Sequence, residues 1–180
     1  MLFLNTFNCF SQESLREKII IEALKTEGAQ ESGRNNTDRG GIIDEMHVLA
    51  GFANQPNPWC GMAVYYWHIK AGVDKKNLPS SPAWSPSWGS GKNVYYKKNR
   101  NSLRNLVAQS GDTFTLYDDK SLKRIFHVGL VLRDLGSSVE TIEGNTGAIA
   151  YTRETTTGRD GVFKKWRKKS SLYTLGYFGG

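Results

Sequence analysis

The apolar positions between Ser14 and Gly28 recur at helical intervals. In "SLREKIIIEALKTEG", Leu15, Ile19, Ala23 and Leu24 fall on one face. Ser14 and Glu17 form the S-x-x-E pattern of a helix start, and Gly28 is a plausible stop. "ESGRNNTDRGG" reads as a loop, and "IIDEMHVLAGF" as a shorter helix ending near Gly51. Two prolines in "ANQPNPW" bring the chain extended into a third helix, Trp59 to Ala71. Met62, Ala63, Tyr66, Trp67 and Lys70 follow its period, which leaves His68 on its surface, and Gly72 ends it. Residues 73–110 carry little pattern and read as a long loop, with Trp84 and Trp88 exposed or half-buried.

From Gly111 the period changes to two. "DTFTLYD" alternates with Phe114 and Leu116 on one face, and "HVGLVLRD" is a strong strand. A Gly-Ser-Ser turn leads to "VETIEGN", and "GVFKKW" and "SLYTLGYF" read as later strands. Helices followed by an antiparallel sheet predict an α+β class. The expected organisation is an N-terminal tail, 1–13, and a single domain, 14–180. No apolar run reaches eighteen residues, so no transmembrane segment is expected.

Composition changes this picture little. With 38% apolar and 23% charged residues among 180, the chain fits a globular protein able to bury a core. Charge adds more. The formal net charge is +7, and Arg153 to Lys169 holds seven cations against Glu154 and Asp160, a net +5. Such a segment suits an anionic partner or a solvated face equally. A nucleic-acid partner is not expected, because no recognition motif accompanies the charge. The cysteines, Cys9 and Cys60, form no CxxC pair and have no zinc spacing; neither metal nor cofactor is expected. "MLFLNTFNCFSQ" lacks a basic n-region and a clean cleavage site, so it reads as a tail rather than an export signal.

Candidate chemistry centres on "NPWCGMAVYYWHIKAG", where Cys60 stands at the start of the third helix. A thiol attacks as thiolate, and a helix N-terminus supplies partial positive charge and free N–H groups. A small buried hydrophobe is the competing reading. Of three histidines, His68 lies eight residues on, roughly 12 Å along the axis at about 1.5 Å per residue, too far to serve as base. His127 opens the strand "HVGLVL", with Gly129 beside it to admit a close neighbour; a structural edge residue is its alternative. In "TIEGN", Glu143 and Asn145 share a strand face. If 127–132 and 139–145 pair as a hairpin, either residue can fix the tautomer of His127.

In order, these segments resemble the CHAP domain, a family of cysteine, histidine-dependent amidohydrolases and peptidases within the papain-like cell-wall hydrolases. "NPWCGMAVYYW" resembles the nucleophile helix, "SGDTFTLYD" the first core strand, "HVGLVL" the histidine strand, "TIEGNTG" the acid/amide strand and "GRDGVFKKWR" the closing strand. Coverage runs from about Glu31 to Phe178. The resemblance implies a papain-like fold with Cys60 as nucleophile, His127 as general base, Glu143 orienting the imidazole and Asn145 assisting. It implies cleavage of an amide bond in bacterial peptidoglycan, by an amidase or endopeptidase acting in the cell-wall compartment, periplasmic or extracellular. Delivery by phage or by a secretion system fits the lack of an export signal. Some relatives carry an Asp-rich calcium loop before the cysteine; "ANQPNPW" has no carboxylate, so no metal is expected there.

Gln55 is a candidate oxyanion donor. Trp59, Trp84 and Trp88 are candidate substrate-binding residues, and the basic segment 153–169 a candidate contact for anionic wall polymers. A monomer, with an immunity or inhibitor protein as an optional partner, is the expected state. The competing function is a non-catalytic wall-binding domain of the same fold.

Overall fold

Helix α1 spans Leu15–Leu24 and starts on the expected cap. Ser14 Oγ accepts from the Glu17 N–H at 3.3 Å, and Glu17 Oε2 accepts from the Ser14 N–H at 2.7 Å. Two donors that a helix start would leave unpaired are thereby satisfied. Ile19 and Ala23 are buried, whereas Leu24 is exposed. Helices α2 (Ile42–Leu49) and α3 (Cys60–Lys70) follow. This computed structural model describes residues 13–32, 41–53, 55–101, 106–147 and 159–180. Residues 1–12 of the expected 1–13 tail, with Cys9, and Arg153 and Glu154 lie outside the described residues.

Six strands form one antiparallel sheet: β1 (Val94–Lys97), β2 (Thr113–Asp118), β3 (Arg124–Asp134), β4 (Ser138–Gly147), β5 (Asp160–Lys168) and β6 (Leu172–Gly176). Their order is β1-β6-β2-β3-β4-β5. The expected hairpin is β3–β4, with Leu130 opposite Ile142. The class is therefore α+β. Strand β1 lies inside the segment expected to be loop. Its four residues are too few to show a period, and pairing with β6 (Lys97 opposite Thr174) makes it a strand. Among the described residues no helix is long and apolar enough to cross a membrane.

Alternation along β3 distributes the core over both sheet faces. Val128, Leu130 and Leu132 join α3, Ile19, Met46 and Ile142 in one apolar cluster. Val131 joins Phe114, Leu116, Val139, Leu172 and Leu175 in another. Helix α3 packs on α1, α2, β3 and β4, and is buried from Cys60 through His68. This corrects the surface placement of His68, which is 0% exposed. Its Nδ1 donates to the Val64 carbonyl at 2.8 Å, and its ring lies 5.8 Å from that of Trp88. Trp88 is likewise buried rather than half-exposed. It sits in the helical turn Ser85–Gly89, where its Nε1 donates to the Pro82 carbonyl at 2.9 Å.

Candidate active site

Cys60 is the first residue of α3 and is buried. The N–H groups of a helix's first turn have no partner within the helix, so the thiol stands beside donors that the helix itself does not satisfy. Part of that N-terminus is held from a distance: Asn145 Oδ1, on β4, accepts from the Trp59 N–H at 3.0 Å. Asn145 Nδ2 donates to Asp160 Oδ2 on β5 at 3.1 Å. Asn145 reaches the helix because β4 is irregular. The β4–β5 register shifts between Glu143 and Thr146, and Asn145 has φ +53°, a left-handed conformation that asparagine tolerates better than most residues. The i, i+2 argument that placed Glu143 and Asn145 on one face fails at this bulge.

His127 on β3 joins the two sides of the site. Its Nε2 lies 2.9 Å from Glu143 Oε2, and it lines the same cleft as Cys60. With Nε2 engaged by Glu143, Nδ1 is the nitrogen available to sulfur. Gly129 gives Glu143 room. A Cβ there would stand 2.9 Å from Glu143 Cγ and 2.8 Å from Phe114 Cε1. The close neighbours admitted by this glycine are thus a carboxylate and a core ring, rather than a helix or substrate.

Glu143 is 0% exposed and fully engaged. Arg167 on β5 grips it in bidentate fashion, Nε to Oε1 at 2.8 Å and Nη2 to Oε2 at 2.5 Å. Thr141 Oγ1 donates to Oε1 at 2.6 Å. Burial by itself would raise this carboxyl's pKa. The hydrogen bonds and charges of Arg167 and His127 outweigh burial and hold it at about 2. For His127, burial acts to lower the pKa. The neighbouring Cys60 and Glu143 favour the charged ring, outweigh burial and raise the pKa to about 9. At neutral pH the site therefore presents an imidazolium between a sulfur and a carboxylate.

Two clefts meet at this point, sharing Cys60, Pro58 and Phe126. One, about 330 Å³, holds His127, Asn145, Asp160 and Arg167. The other, about 560 Å³, holds Trp84, Arg124, Phe52 and Ser80.

Of the residues read from the sequence, the structure brings Cys60, His127 and Glu143 into one constellation and places Asn145 at the nucleophile helix. It does not bring the others together. Trp59 is 0% exposed, its Nε1 donating to buried Glu31 at 2.7 Å; its ring supports α3 and cannot meet a substrate. Trp88 is excluded by burial in the same way. Gln55 is exposed, accepts from Asn57 Nδ2 at 3.1 Å and lines neither cleft. Only Trp84 of the three tryptophans faces a cleft. Among the described residues of the basic segment, four cations have partners within the chain. Lys164 pairs with Glu27, Arg167 with Glu143 and Lys169 with Asp134, and Lys165 Nζ donates to the Gly147 carbonyl.

Arg167 was not singled out by sequence. Its signal was the alternation of "GVFKKWRK", which puts Phe163, Lys165 and Arg167 on one side, combined with the need of a buried Glu143 for a cation.

The fold and site define an α+β chain with a buried thiol, imidazole and carboxylate in sequence, the carboxylate anchored by arginine. No family model, no curated protein and no solved structure matches it.

Proposed function

We propose that this chain is a cysteine amidohydrolase of papain-like architecture that cleaves an amide bond of peptidoglycan in the cell-wall compartment. The observation that carries the reading is the imidazole of His127, hydrogen-bonded to the Glu143 carboxylate and sharing a cleft with the Cys60 thiol at the N-terminus of a buried helix. Such a line of groups is the arrangement nucleophilic acyl transfer requires. Support for peptidoglycan as substrate is the order of the PWC, GD, HVG and EGN segments, which resembles the CHAP domain.

The thiolate of Cys60 attacks the amide carbon, and the carbonyl oxygen takes the negative charge among the first-turn N–H groups. The C–N bond breaks as the His127 imidazolium gives its proton to the departing nitrogen, leaving an acyl thioester. Neutral His127 then takes a proton from water, the hydroxide attacks the thioester, and the C–S bond breaks to return the thiolate. Glu143 keeps the ring in position throughout.

Mass spectrometry of muropeptides released from purified sacculi tests this directly. The protein releases fragments with new amine termini or free stem peptides, and Cys60→Ala or His127→Ala abolishes release while the fold persists by circular dichroism. Lysis by Cys60→Ala protein would defeat the proposal.

A further inference from the structure

The two clefts that meet at Cys60 differ in chemistry. In hydrolysis by a thiol the leaving nitrogen must receive a proton from the imidazole. The leaving group therefore lies in the cleft that holds His127, and the acyl portion runs into the larger one. That cleft has apolar walls, with Trp84 52% and Phe126 43% exposed. It also contains the cation of Arg124. The guanidinium stacks over the Trp84 ring, Cζ standing 4.5 Å from the centroid, and Nη1 donates to the Ile125 carbonyl at 3.3 Å.

Arg124 and Arg167 are the arginines of the two clefts, and they are treated differently. Arg167 is neutralised by Glu143. Among the described residues no carboxylate pairs with Arg124. A guanidinium steadied on an aromatic face, without an acid of its own and facing a cleft that contains the nucleophile, suits a bidentate anion. It also loses little side-chain freedom on binding one.

We propose that Arg124, seated on Trp84 and flanked by Phe126, determines specificity in the larger cleft by binding a carboxylate carried on the acyl portion of the substrate. The proposal rests on the hydrolytic reading above and names the substrate class more narrowly: an acidic peptide segment donates the acyl group. Trp84 and Phe126 cover its aliphatic parts.

Soluble muropeptides, prepared by muramidase digestion of sacculi, are the test ligands, used either native or with their free carboxyls amidated. Calorimetry measures their binding to Cys60→Ala protein; mass spectrometry measures their cleavage by protein that retains Cys60. Amidation is expected to weaken binding and slow cleavage about 10- to 100-fold, the range for losing a charge-assisted hydrogen bond. Arg124→Gln shows the same loss on native muropeptides, mainly in KM, with no further loss on amidated ones. Arg124→Lys recovers part of it. Should Arg124→Gln lower the melting temperature, Arg124→Lys and the amidation comparison on unsubstituted Arg124 still decide. If amidation has no effect, or Arg124→Gln loses equally on both ligands, the carboxylate site is overturned while hydrolysis stands. If Cys60→Ala protein discriminates between the ligands but no amide bond is ever cut, the hydrolytic reading falls and the carboxylate site stands. If neither ligand binds and neither is cut, both fall.

Discussion

Glu143 bears two opposed demands, as a fully buried carboxylate that must also hold His127. Arg167 and Thr141 reconcile them by satisfying the oxygens that face away from or share the imidazole. Arg167→Gln should therefore destabilise the protein by about 1–3 kcal/mol, discounted because the arginine is 28% exposed. Urea titration checks this, and an unchanged midpoint would mean that the pair contributes nothing. The electrostatics of His127 predict an alkaline limit to activity. Its pKa is raised to about 9, so the imidazolium that protonates the leaving nitrogen is lost as pH rises through that value. In the kcat/KM profile of muropeptide cleavage, the falling limb should lie near 9. Glu143→Gln, which removes a charge and a hydrogen-bond acceptor, should move that limb down by about a unit or more. A limb that stays in place would show that the carboxylate does not set the pKa of His127.

At the scale of elements, the site depends on how closely α3 approaches β4. Gly144, the middle of "EGN", is where they meet. A Cβ there would stand 2.6 Å from Ala63 Cβ and 2.8 Å from Trp59 Cζ3. Gly144→Ala should push the helix off the strand and move Cys60 from His127. Overpacking of this kind costs about 1–3 kcal/mol, and a misplacement of about 1 Å at a reacting centre costs about 100-fold in rate. The expected result is a modest fall in melting temperature with a much larger fall in kcat; equal, small effects on both would show that the approach does not position the thiol. The same contact explains a limit of sequence reading. Strand alternation ordered Glu143 correctly toward His127, but the bulge that follows Gly144 turns Asn145 toward the helix N-terminus instead. A bulge is a property of two paired strands, and nothing in "TIEGN" alone announces it.

Across the whole molecule, two buried histidines shift in opposite directions. His127, raised to about 9 from about 6.5, contributes stability that is complete below 6.5 and lost as pH rises toward 9. His68 is lowered to about 4 by burial, against the smaller opposing effect of its bond to Val64. The unfolded chain then binds its proton first, so this stability is complete above 6.5 and lost as pH falls toward 4. Glu143, lowered to about 2, adds a further loss between about 4.5 and 2. Together they predict maximum stability near pH 6.5, with losses on both sides. Melting temperature measured against pH checks this, and His127→Asn should remove the alkaline fall while leaving the acid one. An alkaline fall that persists in that variant would assign it to other groups.

Local patterns determined a good deal on their own. Periods of 3.6 and 2 marked the three helices and five of the six strands, because burial on one face leaves a repeat in the chain. Ser14 and Glu17 marked a cap, and the positions of Cys60, His127 and Glu143 at a helix start and on two strands followed from the same patterns. What required the tertiary structure was everything set by packing between distant segments. Arg167 stood in a run of cations until β5 paired with β4 and put its guanidinium on a buried carboxylate. His68 and Trp88 matched surface and loop patterns, yet both are enclosed, because α3 is covered on nearly every side. Arg124 acquired its environment only when β3 and the Ser80–Ser85 segment closed around one cleft. A repeat along the chain records which side of an element is buried; it carries no record of which partner from elsewhere satisfies a charge, or fails to.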